Sequence, residues 1–352
     1  MSDTPQAASK TASALDAVKR IVAPAPHIAA SLSCRQIMLW VIGALAPAAL
    51  WAIWNMGAPA VVTLGVSVVA CVGTEFVWNV LRKQKQSVGD LSAVVTGMLL
   101  AMSVPPRTPW WICLVGGIVA IGLAKMLFGG LGFNLFNPAL VGRAVVLMSW
   151  LGVMSEVKPY PGGWFNALSL PAAGKLDAIN GATRLALASA DRAANGAYGY
   201  DLAKQYVPLL FKNLEGSLGE VSAALLIVGG LVLLARGIID WRIPVGYIGA
   251  VALLSWAFGS DPVFNVLAGG VLLGAFFMAT DYVTSPVTRN GRLAFGIGCG
   301  VFNVVTRFYG PMPETTTFAI LFMNGLAPLI DRMFLPRPFG WVKPPKAVKA
   351  DA

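Results

Sequence analysis

An all-α polytopic membrane protein is what this sequence predicts, from its hydropathy, the spacing of its apolar runs and the placement of its charges. Of 352 residues, 57% are hydrophobic and 12% charged, with mean hydropathy +0.70; a soluble domain carries about 25% charged residues. Apolar runs recur along the whole chain at about the 20 residues a helix needs to cross hydrocarbon. A transmembrane barrel would instead show short alternating segments.

Ten spans are expected in order. The first two, 37–56 and 58–81, meet at Gly57, and Arg82, Lys83 and Lys85 close the second. Asp90 opens a short third span, 91–104, as a helix N-cap. The fourth, 110–127, runs from Trp110 to the Gly-rich stretch that precedes the fifth, 135–154. A long polar segment, 155–220, follows. Arg236 and Arg242 mark the turn between the sixth span, 221–238, and the seventh, 245–258. The eighth, 264–282, ends at Asp281; the short ninth, 293–305, begins after Arg289 and Arg292; the tenth, 316–330, precedes a basic tail.

The net charge of +10 does not indicate nucleic acid, because of where the charges fall. With both termini cytosolic, one side collects Lys10, Lys19, Arg20, Arg35, the 82–85 group, Lys125, Arg236, Arg242, Arg289, Arg292 and the tail. Short loops on the other side hold Arg107 and Arg307. This is the positive-inside bias, and it places 155–220 outside the cytoplasm. The expected organisation is a cytosolic segment 1–35, a first five-helix unit 36–154, an external loop 155–220, a second unit 221–331 and a basic cytosolic tail 332–352.

Residues 1–34 lack the apolar region of a cleavable signal. Leu15, Val18, Ile21 and Val22 fit one face of a surface-lying helix, and a disordered tail fits equally well. Cys34, Cys71, Cys113 and Cys299 are far apart, with no disulfide framework and no metal spacing. His27, the single histidine, is a poor candidate ligand in a Pro-rich stretch. Gly129, Gly130 and Gly132 follow no strand, so no dinucleotide loop is expected.

The halves echo each other. "GMLLAMS" (97–103) matches "GAFFMAT" (274–280), and each is followed about thirty residues on by a Gly-rich interruption, "LFGGLGFNLFNPAL" and "RFYGPMPETTTFAIL". Two inverted five-helix repeats are therefore expected, with interrupted helices lining a midplane pathway. The alternative is that these glycines only let helices pack closely. Ionisable residues inside spans usually face a bundle interior in pairs. Glu75 and Asp281 are thus candidates for the ion pathway, and Arg143, always charged, for a structural partner or anion anchor.

"KLDAINGATRL" (175–185) lies in the external loop. On residue chemistry alone Thr183 reads as a cap, since Asn180-Gly181 is a turn signal and "RLALASADRAA" a helix. Yet "LDAINGAT" resembles the flavin-attachment signature Asp-x-x-Ser/Thr-Gly-Ala-Ser/Thr. Asp177, Gly181, Ala182 and Thr183 match it, and Asn180 stands where the signature has a hydroxyl residue. "SAVVTGMLLAMSVPPRTPWW", "KMLFGGLGFNLFNPALVGRAVVLMS" and "FAILFMNGLAPLIDR" extend the likeness to nearly the whole chain from about residue 36. They resemble the D-subunit family of the Rnf complex and, more distantly, the B subunit of the sodium-translocating NADH:quinone reductase.

That resemblance implies a multi-pass subunit of the bacterial inner membrane that carries electrons. It implies FMN held covalently through Thr183 in a periplasmic loop, placed there by a flavin transferase. Related subunits also hold non-covalent riboflavin. The implied partners are other Rnf subunits, above all the covalently flavinylated G subunit, and membrane lipid. The implied activity passes electrons between ferredoxin and NAD, coupled to Na+ or H+ movement, without NAD binding on this chain. The alternative within the same architecture is a small-solute or ion channel or transporter with no flavin.

Overall fold

The computed structural model describes residues 32–155, 205–213, 216–310 and 315–335. The chain divides into two units, Met1–Ser33 and Cys34–Ala352; the helices below all belong to the second. The described residues are helical, with no strand among them.

Helix α1 spans Cys34–Met56 and α2 spans Ala58–Leu81, with Gly57 at φ 69° forming the corner between them. A left-handed corner this tight suits a residue without Cβ. At 23 and 24 residues these are the two described helices long and apolar enough to cross a membrane by length and composition. Short α3 (Ser92–Met102) is followed by α4, which starts at Trp110–Ile118 and continues as a π-helical stretch, Val119–Met126. Helix α5 is Pro138–Ser149, α6 Ala223–Ala235 and α7 Arg242–Ala257. The expected eighth span is broken into α8a (Pro262–Leu267) and α8b (Val271–Leu273), the latter running into a π turn, Gly274–Met278. Helices α9 (Arg289–Tyr309) and α10 (Thr316–Met333) complete the series.

Every expected span therefore meets helix, and the eighth departs from expectation by breaking at Gly269 and Gly270, φ 73° and 69°. The polar groups of that break are satisfied from α9 and α10. Arg307 donates from Nη1 to Asn265 O (2.7 Å) and from Nη2 to Ala268 O (3.3 Å), and Thr316 Oγ1 donates to Gly269 O (2.9 Å). Asn303 Nδ2 donates to both Tyr247 OH and Thr316 Oγ1, tying α7 and α10 across α9. Broken backbone persists in an apolar surrounding only when protein supplies such partners. Arg307, expected as an external loop charge, is instead buried in the last turn of α9.

Helix α2 is turned inside out relative to a soluble helix. Its buried face carries Thr63, Ser67, Cys71, Glu75 and Asn79. Val61, Val62, Val69, Phe76, Val77 and Val80 point outward. A helix in lipid gains nothing by hiding its apolar side chains from neighbours that are equally apolar, so polar and small residues face the interior. Helix α3 is buried on almost all sides, from Ser92 to Met102 except Val94. Its 11 residues need no full crossing because protein, not lipid, surrounds it.

The glycine motifs are close-approach positions. A Cβ on Gly97 would lie 2.6 Å from Val68 Cα of α2, and one on Gly274 would lie 2.6 Å from Thr316 Cγ2 of α10. Gly97→Ala should therefore destabilise the helix pair by about 1–3 kcal/mol, the usual cost of overpacking. Thermal unfolding in detergent measures it, and a wild-type midpoint would contradict the contact.

The two ends of the bundle are stitched separately. At one end Asp331 of α10 accepts hydrogen bonds from Val287 N, Thr288 N and Thr288 Oγ1, all at 3.0 Å, holding the start of α9. Asp240 pairs with Arg242 (3.0 Å) and Arg292 (2.9 Å), joining the α6–α7 turn to α9. Partial burial alone would raise the Asp240 carboxyl; the Arg242 amide and the Arg292 and Arg242 guanidinium groups outweigh it and hold the group below its ordinary value. At the other end Trp51 Nε1 donates to Phe211 O, Thr63 Oγ1 to Pro106 O and Leu218 N to Val104 O.

Candidate functional site

Helices α2, α3 and α4 and the turn before α3 converge on a buried charge cluster at the end that carries Asp240 and Asp331. Glu75 lies in α2 six residues before its end, fully buried. Opposite it stands Lys125, 1% exposed, whose Nζ donates to Glu75 Oε2 at 2.7 Å and to Ser92 Oγ at 2.6 Å. Ser92 Oγ in turn donates to Asp90 Oδ1, and Ser87 Oγ to Glu75 Oε1, both at 2.5 Å. Asn79 Nδ2 donates to Ser87 Oγ at 3.0 Å. The result is one continuous hydrogen-bonded line from Asp90 to Asn79 through an ammonium–carboxylate pair.

Local sequence explains how each group arrives. The four-residue spacing of Ser67, Cys71, Glu75 and Asn79 keeps them on one face of α2. The wide turn of α4 sets Lys125: Leu127 N donates to Gly122 O and Gly130 N to Lys125 O, both spanning five residues. Each π-type bond adds a residue per turn and so re-aims the side chains after it. Lys125, expected as a cytosolic surface charge, is instead a buried partner of Glu75. Asp90 accepts from Ser92 N at 2.8 Å, so it caps α3 from one residue before the cap position, which Leu91 occupies with φ 66°.

Asp281 lies just past the π turn of α8, half-buried, accepting from Val283 N and Thr284 Oγ1 at 3.3 Å. It lines a cavity of about 80 Å³ together with Lys125, Thr96, Asn134 and Thr280. Lys125, the partner of Glu75, thus also lines the cavity that Asp281 lines, while Glu75 itself does not. Asn137, the cap of α5, closes the site by donating to Met278 O at 3.1 Å and accepting from Ala139 N and Leu140 N. Arg143 is buried in α5. No group of His, Cys, Asp and Glu arranged to hold a metal occurs among the described residues. Cys71, Cys113 and Cys299 are buried and unbridged, and Cys34 is exposed. Asp177, Gly181, Ala182 and Thr183 lie outside the described residues, as do His27 and the segment carrying Leu15 to Val22.

A helical bundle with apolar outer faces and its ionisable groups turned inward has the make-up of an integral membrane protein. Comparison narrows this. A family described as "NQR2, RnfD, RnfE family" matches residues 21–340, and the chain belongs to that family. It is 41% identical over 329 residues to the D subunit of the "Na(+)-translocating ferredoxin:NAD(+) oxidoreductase complex" of Acetobacterium woodii, covering 94% of this chain and 98% of that one. It is 38% identical over 334 residues (91% and 96%) to the D subunit of the "Proton-translocating ferredoxin:NAD(+) oxidoreductase complex" of Clostridium ljungdahlii. It is 39% identical over 327 residues (88% and 92%) to the D subunit of the "Ion-translocating oxidoreductase complex" of Stutzerimonas stutzeri.

Proposed function

We propose that this chain is the D-type membrane subunit of an Rnf-like complex, carrying FMN as a phosphoester on Thr183 and passing electrons while Na+ or H+ crosses the membrane. The observation that carries the reading is the sequence "LDAINGAT" (176–183) in a chain similar, over nearly its whole length, to subunits named for ion-translocating ferredoxin:NAD+ oxidoreduction. The residues suit the group. Thr183 supplies the hydroxyl oxygen, Gly181 and Ala182 leave room for a transferase pocket, and Asp177 completes the recognised pattern. When the bond forms, Thr183 Oγ takes the flavin-side phosphorus of FAD, the pyrophosphate linkage breaks and AMP leaves, the hydroxyl proton passing to a base. Bound FMN supplies a carrier that exchanges one or two electrons. Thr183 is an anchor and takes no part in the redox step. The non-covalent riboflavin of related subunits enters this reading without named residues.

We read the ten helices as two inverted repeats in the bacterial inner membrane, with both termini cytosolic and 155–220 periplasmic. Gly97 and Gly274, equivalent in the two motifs, each abut a neighbouring helix, which fits the repeat. The contacts at each end of the bundle pair residues that the charge distribution assigns to one side, which fits the topology. Glu75 and Asp281 are the ion-pathway acids of this reading, and other Rnf subunits its partners. The test is the tryptic peptide from Leu176 to Arg184 out of membranes that also hold the flavin transferase. Its mass should include FMN; a peptide found wholly unmodified overturns the flavin reading and leaves the flavin-free transporter.

A further inference from the structure

Helices α1 and α6 touch backbone to backbone: a Cβ on Gly229 of α6 would lie 2.4 Å from Ala44 O of α1. Beside that contact runs a groove of about 210 Å³, lined by Trp40, Gly43 and Pro47 of α1 and by Leu225, Val228 and Val232 of α6. Val228 and Val232 are 56% and 39% exposed, so the groove opens on the outer face of the bundle. From Trp40 to Pro47, and from Val232 back to Leu225, it follows each helix for about 10 Å. Apart from the Trp40 indole N–H its side chains offer no hydrogen bond, so water gains little there and hydrocarbon fits. Gly43 adds to the room. A Cβ there would meet nothing within 4 Å, so no protein neighbour requires a glycine that a helix interior disfavours.

The mouth of the groove is cationic. Arg236 lies one turn beyond Val232, at the end that carries Asp240, and is exposed. Its guanidinium carbon stands 4.2 Å from the centre of the Trp40 ring. This cation–π contact fixes the group by its face and leaves the N–H donors around its rim open to an anion. Among the described residues no carboxylate pairs with Arg236, and Asp240, the acid closest to it in sequence, is already bound to Arg242 and Arg292. Arg35, exposed in the first turn of α1, adds a second cation at the same end with no described acid partner.

We propose that the α1–α6 groove holds one acyl chain of an anionic phospholipid whose phosphate sits on Arg236. The tail requires an apolar slot open to hydrocarbon, and the phosphate requires a guanidinium at the mouth of that slot. Basic sites between spanning helices select negative headgroups. A zwitterionic headgroup would bring an ammonium to a mouth that has positive charge left over and no free acid. Because α1 and α6 open the two halves of the expected organisation, the lipid seals the seam between them. The site needs the bundle to lie in a membrane and is independent of the flavin.

The experiment uses the assembled complex, purified in detergent and equilibrated with equal amounts of phosphatidylglycerol and phosphatidylethanolamine carrying the same acyl chains. Lipid kept after washing is identified by mass spectrometry of the intact complex. Wild type should keep one phosphatidylglycerol that Gly43→Leu loses, the leucine filling the groove. Arg236→Gln should weaken its retention about fivefold, the effect of removing one basic side chain at an anionic surface, and erase the preference over phosphatidylethanolamine. Should Gly43→Leu not fold, Val232→Phe closes the same groove from its outer edge and should lose the same lipid. Retention unchanged in the groove-filling or the Arg236→Gln variant overturns the site, as does equal retention of the two lipids by wild type. A groove-filling variant that folds but sheds another subunit, while Arg236→Gln assembles normally, would put a partner helix in the groove and overturn the lipid.

Discussion

Thr183→Val should abolish covalent flavin on this chain completely. Valine keeps the shape and β-branching of threonine but has no oxygen to form the phosphoester, so no slower route to the same bond exists. The measurement is ultraviolet fluorescence of the denatured band after expression with a flavin transferase: bright for wild type, dark for Thr183→Val. Thr183→Ser should stay bright, because the hydroxyl remains. A fluorescent Thr183→Val band would show that the attachment lies elsewhere.

Lys125→Met should be strongly destabilising. Removing one partner leaves Glu75, fully buried, as an uncompensated charge. Breaking a buried pair from one side typically costs about 3–5 kcal/mol, whereas replacing both partners by uncharged groups is often nearly neutral. Glu75→Gln strands the ammonium and should cost a similar amount. Lys125→Met/Glu75→Gln should recover most of the loss, a coupling that a double-mutant cycle on unfolding midpoints reads directly. Additive single effects would show that the 2.7 Å contact does not couple the two residues.

The helices are legible in the sequence because length and hydropathy set them: the expected span 58–81 is found as Ala58–Leu81. The eighth span is the exception. "VLAGGVLLGAFF" is apolar throughout, and hydropathy does not register that Gly269 and Gly270 adopt left-handed backbone. Glu75 is visible because an acid stands out in an apolar run. Its partner is not, because Lys125 sits near a span end, where a lysine is expected on the surface. The residues are 50 positions apart, and the π-helical turn that brings Lys125 inward has no composition of its own. A usable signal does exist in the strict four-residue recurrence of Ser67, Cys71, Glu75 and Asn79, which marks a polar inner seam on α2. Asn134 carries no comparable mark, since an asparagine shortly after a run of glycines reads as part of a turn.

The widened turn of α4 makes the charge cluster a matter of reading frame within a helix. A π turn is an α-helix holding one surplus residue. Winding the segment Val119–Met126 as ordinary helix at its present length would swing everything downstream by about 100° around the axis. The ammonium would then leave the acid it now neutralises without any change to either side chain. Deleting one amino acid between Val119 and Ala124 removes the surplus instead and keeps the downstream face in register, so the shortened chain should hold the Lys125–Glu75 pair where inserting a further residue should lose it.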